Sequence, residues 1–229
     1  MKRVIISGAG GGLGKITTRY FLEKGYAVTA ILSGMDKLDQ LPDAPALEKL
    51  GLDLLDEASV AAFVEDQFAR HEKIDGVLML AGGFAAGDLA ATDGPAVQQQ
   101  IDLNFMTAYH LARPAFLHMK KQGGGRLVFI GARPAITATA GKHMMAYSLA
   151  KSLLFRLAEN LNADAAGTSL TATVLAPSTI DTPANRVAMP DADPAKWVSP
   201  EHLASIMEWL FSAPAGNLRE TVLKVYNRS

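Results

Sequence analysis

Short runs of hydrophobic residues alternate with longer segments of helical periodicity along the chain. Most of these runs are continuously apolar, which is typical of strands covered on both faces of a sheet. Alternation of strand and helix predicts an α/β fold with a doubly wound parallel sheet of seven strands and helices on both faces. The predicted strands are Arg3–Ser7, Ala27–Leu32, Lys49–Leu52, Gly76–Leu80, Arg126–Ile130, Ser169–Leu175 and Thr221–Val225. The predicted helices lie near 13–24, 56–70, 94–121, 143–164 and 200–212.

The composition is that of an ordinary globular protein. Apolar residues make up 49% of the 229 residues, so the chain can build a core without disulfides or structural metals. There is no cysteine, which excludes zinc fingers, iron–sulfur clusters and thiol nucleophiles. The five histidines form no cluster with metal-ligand spacing, so no metal site is predicted. The formal net charge of -1 argues against a nucleic-acid-binding protein.

No export signal or membrane span is predicted. Only three apolar residues, Val4–Ile6, follow the basic start of the chain, and the longest uncharged stretch, 165–180, is too polar for a span. We therefore expect a cytoplasmic protein without membrane contact. No linker or repeat interrupts the chain, so residues 1–229 are expected to form one domain. Segment 177–198, rich in Pro, Asp and Ala, is interpreted as a substrate loop or lid.

A glycine-rich loop follows the first predicted strand and opens the first predicted helix. In a parallel sheet, ligands bind at the carboxyl ends of the strands, so this loop is a candidate site. Glycines let a backbone approach a pyrophosphate closely, and the helix N-terminus supplies free N–H groups. The alternative is a glycine-rich turn without a ligand. The residues predicted to contact phosphates are Gly8, Gly11, Gly12, Leu13 and Gly14.

The residues after the second and third strands bear on which dinucleotide is bound. Ser33 and Lys37 would suit the 2′-phosphate of NADP, whereas an acidic residue there would hold the ribose of NAD. Asp36 lies between them, so NADP and NAD both stay open, with NADP favoured. Asp53 follows the third strand, where it would either contact the adenine edge or cap the next helix.

A tyrosine and a lysine share one face of a predicted helix. Tyr147 and Lys151 are four residues apart, and an adjacent ammonium favours the phenolate form of a tyrosine. Alone, this spacing is common on helix surfaces. Together with the glycine loop, it predicts a pair that exchanges a proton with a group receiving a hydride.

The chain resembles the short-chain dehydrogenase/reductase family over its whole length. The resemblance implies an NAD(P)-dependent oxidoreductase that acts on a small molecule and has a single Rossmann-like domain. Central helices of this family pair across a two-fold axis, which implies a homodimer or homotetramer built on 94–121. The motifs that carry the resemblance are Ser7-Gly8…Gly12-Leu13-Gly14, Ala81-Gly82-Gly83, Asn104, Tyr147…Lys151 and Pro177…Ile180-Asp181-Thr182.

The resemblance also implies roles for individual residues. Tyr147 would donate or accept the proton, and Lys151 would hold the nicotinamide ribose and lower the pKa of the tyrosine. Asn104 would support a water that leads to Lys151. Thr182 and the backbone of Ile180 would grip the nicotinamide carboxamide. The remaining implied cofactor contacts are Ala81, Gly82, Gly83 and Pro177.

One motif of the family is missing. A serine normally follows the fifth strand and hydrogen-bonds the substrate oxygen, but here Ala132 or Pro134 stands at this position, depending on the direction of counting. Loss of one such donor costs on the order of 10²–10³ in rate. Thr137 or Thr139 is a candidate substitute, since the loop that leads to the tyrosine is longer than usual.

Within the family, the chain resembles the quinonoid dihydropteridine reductases, which reduce a conjugated, imine-like pterin ring. The resemblance rests on 81–87, on Gly131-Ala132 without serine, and on 181–193 with Trp197. Such an acceptor needs less help from a hydrogen-bond donor than a ketone, which would make the missing serine tolerable. The alternative is a short-chain carbonyl or 3-oxoacyl reductase, and a third hypothesis is a non-catalytic NAD(P)-sensing protein.

Five residues are expected around the substrate. Phe84 would either stack on a ring or cap the core beneath its loop. Arg133 would either contact the substrate or remain a surface charge, and Ala132 precedes it at the serine position. Met189 and Trp197 would either contact the ring or pack their segment onto the fold.

Overall fold

The computed structural model describes residues 1–218 and 220–228, and its strands form one parallel sheet. Their order is β3-β2-β1-β4-β5-β6-β7, and every neighbouring pair is parallel. Because the order reverses between β1 and β4, their carboxyl ends frame the crevice in which such sheets bind ligands. The strands are β1 (Arg3–Ser7), β2 (Ala27–Leu32), β3 (Leu47–Gly51), β4 (Gly76–Met79), β5 (Gly124–Ile130), β6 (Ser169–Pro177) and β7 (Val222–Val225).

Helices connect the strands and cover the sheet. A π-helical turn, Asp102–Met106, lies inside the long central helix, and short 3-10 turns occur at Met35–Gln40, Arg133–Ala135, Pro194–Lys196 and Pro214–Asn217. The α-helices are α1 (Gly12–Glu23), α2 (Glu57–Arg70), α3 (Gly94–Ile101), α4 (Thr107–Lys121), α5 (Ala138–Gly141), α6 (Met145–Asp164), α7 (Pro183–Ala188) and α8 (Pro200–Trp209).

The hydrophobic core is divided between the two faces of the sheet. Successive side chains of a strand point to opposite faces, so Ile5 packs with α2, α4 and α6 on one side. Val4 and Ile6 pack on the other side with Phe21 of α1 and Met207 of α8. All six residues of β2 are buried, which explains why this strand has no polar alternation.

The predicted fold class is confirmed, and the differences lie at the ends of elements. The bounds of β1 and β2 are those predicted, whereas β3 begins at Leu47 and β6 continues to Pro177. The helix predicted over 94–121 is present, but the π-helical turn inside it was not predicted. The segment predicted as a loop contains α7, which begins because Thr182 Oγ1 accepts a hydrogen bond from the Asn185 N–H at 3.2 Å.

Membrane-spanning helices and metal-ligand clusters are absent from the described residues. None of their helices is both long and apolar enough to cross a membrane. No group of three or more histidine, aspartate or glutamate side chains in the same residues is placed to hold a metal ion.

Candidate active site

The loop between β1 and α1 leaves no room for side chains at its key glycines. Gly8 has a φ of +65°, and a β-carbon there would lie 2.6 Å from the backbone nitrogen of Ala81. A β-carbon on Gly14 would overlap the carbonyl oxygen of Gly8, and one on Gly12 would lie 2.9 Å from Cγ2 of Thr182. The loop is therefore a close-packed backbone cradle between the ends of β4 and β6, open to a ligand at the N-terminus of α1.

A cavity of about 450 Å³ extends from this loop across the carboxyl ends of the neighbouring strands. Its volume lies in the ordinary range of small-molecule sites. The predicted cofactor residues that line it are Gly8, Gly11, Ser33, Asp53, Ala81 and Gly82. Lining residues that were not among the predicted contacts include Gln40, Leu103 and Thr107.

The end of β2 presents a cation to this cavity. Lys37 Nζ donates a hydrogen bond to Ser33 Oγ at 2.7 Å, and both residues line the cavity. The carboxylate of Asp36 instead folds over Gly34 and does not line the cavity. At this strand end the cavity is therefore lined by Ser33 and Lys37 and not by Asp36, and the preference for NADP stays a prediction.

Asp53 lines the cavity but does not cap α2. Its Oδ1 accepts a hydrogen bond from the Leu55 N–H at 2.9 Å within its own loop. The cap of α2 is Asp56, whose Oδ1 accepts from the Ser59 N–H at 3.1 Å. The helix-cap interpretation of Asp53 is thus wrong, and its contact with a cofactor stays a prediction.

Tyr147 and Lys151 lie together on α6. Lys151 Nζ is 5.9 Å from the centroid of the Tyr147 ring and donates a hydrogen bond to the Ile130 carbonyl at 2.8 Å. Burial lowers the pKa of Lys151 to about 8 and raises the pKa of Tyr147 to about 12. The tyrosine shift is opposite to the one expected from the sequence, because burial favours the neutral phenol.

Asn104 lies in the π-helical turn and is 1% exposed. Its Oδ1 accepts from the Gly83 N–H at 3.1 Å, and its Nδ2 donates to the Gly83 carbonyl at 2.9 Å. A β-carbon on Gly82 would lie 2.6 Å from Asn104 Oδ1 and 3.2 Å from Lys151 Nζ. The structure therefore brings together the glycines after β4, the asparagine and the lysine, at a kind of helix irregularity common in functional sites.

A buried glutamine joins this group and was not predicted. Asn104 Nδ2 donates to Oε1 of Gln100 at 3.0 Å, and Gln100 is only 5% exposed. The signal available in the sequence is a polar residue four positions before Asn104, on the same face of the helix.

Among the described residues, the region where the family serine was expected offers no hydroxyl that contacts Tyr147, and the replacement of that serine by Thr137 or Thr139 stays a prediction. Ala132 is 4% exposed at the end of β5. Thr137 begins α5 without a side-chain hydrogen bond to the helix, and Thr139 is exposed on α5. In the described part of the chain, neither threonine hydroxyl has a hydrogen bond to Tyr147.

Phe84 lies beside the tyrosine and not in the core. Its side chain is 61% exposed, and its ring centroid is 5.3 Å from that of Tyr147, with the planes at 72°. The interpretation of Phe84 as a core-capping residue is therefore wrong. An exposed aromatic face next to the tyrosine is available to a flat ligand.

The other substrate candidates differ in accessibility. The guanidinium carbon of Arg133 lies 5.1 Å from the centroid of Tyr226, so the charge contacts an aromatic ring, and a contact with the substrate stays a prediction. Met189 follows α7 and is 37% exposed. Trp197 is 7% exposed, as its packing interpretation requires, and a substrate contact by its ring stays a prediction.

The two ends of segment 177–198 are tied to each other, and its start is tied to β7. The Val198 N–H donates to the Thr179 carbonyl at 2.8 Å, and the Ser178 N–H donates to the Val225 carbonyl at 3.0 Å. The carbonyl of Ile180 accepts from Asn185 Nδ2 at 2.8 Å. Among the described residues, the N–H of Ile180 has no acceptor, and it lies near Thr182, which faces the glycine cradle. Pro177 is buried at the end of β6.

Comparisons with known proteins agree with this geometry. A sequence model of the short chain dehydrogenase family matches residues 2–193. The 2,3-dihydro-2,3-dihydroxybenzoate dehydrogenase of Escherichia coli (strain K12) is 29% identical over 185 residues, 81% of this chain and 72% of that protein. The dihydropteridine reductase of Dictyostelium discoideum is 24% identical over 232 residues, 100% of this chain and 96% of that protein. A short-chain type dehydrogenase/reductase from Mycobacterium ulcerans superimposes with a TM-score of 0.89 at 22% identity, covering 99% of this chain and 89% of that one.

Proposed function

The chain belongs to the short chain dehydrogenase family and is an NAD(P)-dependent oxidoreductase, and we propose that it reduces a small conjugated acceptor in the manner of a dihydropteridine reductase. The observation that carries this proposal is the contact between the rings of Phe84 and Tyr147, whose centroids lie 5.3 Å apart. A flat ring can stack on the exposed phenylalanine while its proton-accepting atom faces the tyrosine. A conjugated imine needs less stabilisation of a developing oxyanion than a ketone does, which suits Ala132.

The residues present fit a dinucleotide. Side chains at Gly8, Gly12 and Gly14 would fill the cradle, so close backbone approach is built into the loop. Ser33 and Lys37 favour NADP over NAD, because the 2′-phosphate of NADP is an anion that an ammonium attracts. The bound cofactor supplies the hydride.

Tyr147 is proposed to donate the proton to the acceptor. With a pKa of about 12, its phenol is protonated at neutral pH and is therefore a donor in the direction of reduction. Lys151, with a pKa of about 8, still carries most of its charge at neutral pH. Its ammonium, 5.9 Å from the ring centroid, stabilises the phenolate that remains after Tyr147 Oη has given up its proton. Asn104 is assigned a supporting role next to Lys151, as the resemblance implies.

The remaining cofactor contacts are assigned by position. The N–H of Ile180 and the hydroxyl of Thr182 are proposed to hold the nicotinamide carboxamide beside Pro177. Leu13 and the turn of Ala81, Gly82 and Gly83 are proposed to flank the cofactor where β1 and β4 end. Asp53 is proposed to contact the adenine edge.

The experiment is a reductase assay on the purified protein. Freshly generated quinonoid dihydropterin is offered with NADPH and, in parallel, with NADH, and a panel of ketones is run under the same conditions. We expect pterin turnover that is faster with NADPH. Robust ketone reduction without pterin turnover would instead identify a carbonyl reductase. Dinucleotide binding without turnover of any acceptor would leave the NAD(P)-sensing hypothesis.

A homodimer or homotetramer is also proposed. It is supported by an exposed leucine on the helix expected to pair, since Leu117 on α4 is 49% exposed. Leu149 and Leu153 on α6, at 47% and 37% exposed, add a second exposed apolar face that was not predicted. Light scattering after size-exclusion chromatography measures the mass directly, and a monomer at micromolar concentration would contradict this proposal.

A further inference from the structure

An arginine lies at the carboxyl end of β5, next to the group that holds Lys151. Ile130, whose carbonyl accepts from Lys151 Nζ, is the last residue of the strand. Arg133 follows three residues later and begins a 3-10 turn that packs against α6, the helix of Tyr147. Arg133 is therefore attached to the part of the sheet where the reacting groups are gathered.

The guanidinium of Arg133 lies over an aromatic ring. Its central carbon is 5.1 Å from the centroid of Tyr226, the residue that follows β7. A guanidinium carries five N–H donors, and a contact with an aromatic ring does not use all of them. The aromatic contact therefore holds the charge at this place and leaves donors for another group.

No acceptor in residues 1–218 or 220–228 uses these donors. The guanidinium of Arg133 makes neither a hydrogen bond nor an ion pair with any of those residues. Arg186, on the neighbouring α7, shows the contrast, because it donates to both carboxylate oxygens of Asp181 at 2.6 and 2.8 Å. Arg133 thus offers N–H donors that the described residues do not use, on the turn that follows β5 and packs against α6.

We propose that Arg133 binds a carboxylate of the substrate, so that the natural acceptor is an anion. Guanidinium and carboxylate match in a bidentate geometry, and charge-assisted hydrogen bonds of this kind are among the strongest in proteins. The proposal names the substrate class for the reductase function above and rests on it. It also explains how a substrate is oriented where Ala132 supplies no hydroxyl: the substrate is held through its acidic group.

The test uses a matched pair of ligands that differ only in the charge. Pterin-6-carboxylate and its methyl ester are titrated by calorimetry into the full-length protein saturated with NADP⁺. We expect the acid to bind about tenfold or more tightly than the ester, because hydrogen bonds to charged groups are worth more than neutral ones. Arg133→Met should remove this preference by weakening the acid alone, and Arg133→Lys should restore part of it.

Controls separate this role from a structural one. Arg113→Met removes an exposed arginine of α4 and should leave both affinities unchanged. Equal loss of acid and ester binding in Arg133→Met, or no preference for the acid in the unaltered protein, would overturn the proposal. If neither pterin binds, the pterin function fails. The same variants are then assayed on a 3-oxo acid and its methyl ester. A preference for the acid that Arg133→Met abolishes would support the carboxylate site. Equal activity on the acid and the ester in the unaltered protein would refute it.

Discussion

Gln100 holds the carboxamide of Asn104 from one helical turn away, through the 3.0 Å hydrogen bond from Asn104 Nδ2 to Gln100 Oε1. With the two bonds to Gly83, this contact fixes which way the Asn104 amide faces. The amide in turn sits against Gly82, whose other neighbour is Lys151 Nζ. Gln100 is therefore a positioning residue for the group around the lysine.

Replacing Gln100 by methionine should lower turnover about three- to tenfold, because one hydrogen bond worth about 1 kcal/mol is lost where it orients Asn104. The KM for NADPH should change much less than kcat, since the cavity does not include Gln100. The matched control is Gln99→Met at an exposed position of the same helix. Equal kcat in the two variants would contradict the positioning role.

Replacing Tyr147 by phenylalanine should lower turnover about tenfold or more, because the proton donor is removed. The affinity for cofactor should be unchanged, since the ring and its contact with Phe84 are kept. Steady-state kinetics and NADPH titration measure the two effects. Tyr109→Phe, on α4, serves as the control. Unchanged turnover with the best substrate would show that the acid–base role is wrongly assigned.

The pH dependence of turnover should be set by Lys151. Its pKa of about 8 means that the ammonium loses its proton as the pH rises through this value, and activity should fall there. Tyr147, with a pKa of about 12, stays protonated across the same range. Lys151→Arg keeps the charge at higher pH, so in the residual activity of this variant the alkaline limb should move upward. An alkaline limb at the same pH in both proteins would assign it to another group.

Replacing Lys37 by glutamine should raise the KM for NADPH about tenfold, since a charged contact with the 2′-phosphate would be lost. The KM for NADH should hardly change, because NADH has no phosphate there. Lys24→Gln, at the exposed C-terminal end of α1, controls for the loss of one surface charge. If both cofactors are affected alike, the residue does not discriminate between them.

Replacing Gly82 by alanine should reduce activity on the order of 100-fold, because a displacement of about 1 Å in a site costs this much. The added carbon would meet Asn104 Oδ1 at 2.6 Å and Lys151 Nζ at 3.2 Å. Gly94→Ala is the matched control, since a β-carbon there has no neighbour within 4 Å. Full activity in Gly82→Ala would show that the asparagine and lysine can shift without consequence.

The sheet and the glycine loop could be predicted because their signals are local. Every residue of β2 is buried, so its continuous apolar run maps directly onto the strand. The cradle of Gly8 and Gly14 is likewise a property of consecutive residues. The order of motifs along the chain was sufficient to identify the family to which Tyr147 and Lys151 belong.

The features that were missed leave no distinct signal in the sequence. Whether Asp53 or Asp56 caps α2 is decided by where the helix starts, and both are followed by suitable N–H donors. The pKa of Tyr147 is raised by surrounding residues that desolvate it, which spacing along a helix does not reveal. The π-helical turn around Asn104 likewise leaves no periodic signature, since it inserts one residue into a regular pattern.

The reversal of strand order between β1 and β4 has a consequence for engineering. The residues proposed to bind the adenosine half of the cofactor lie at the ends of β2 and β3. Arg133 follows β5, and the segment that contains Met189 follows β6. The carboxyl ends of β1 and β4 lie between the two sets. Replacement of the short turn at Met35–Gln40 should therefore change the preference between NADP and NAD without changing the preference for the acceptor. Replacement of the segments that follow β5 and β6 should change the acceptor preference without changing the cofactor preference. Cofactor preference and acceptor preference can therefore be altered separately in this fold.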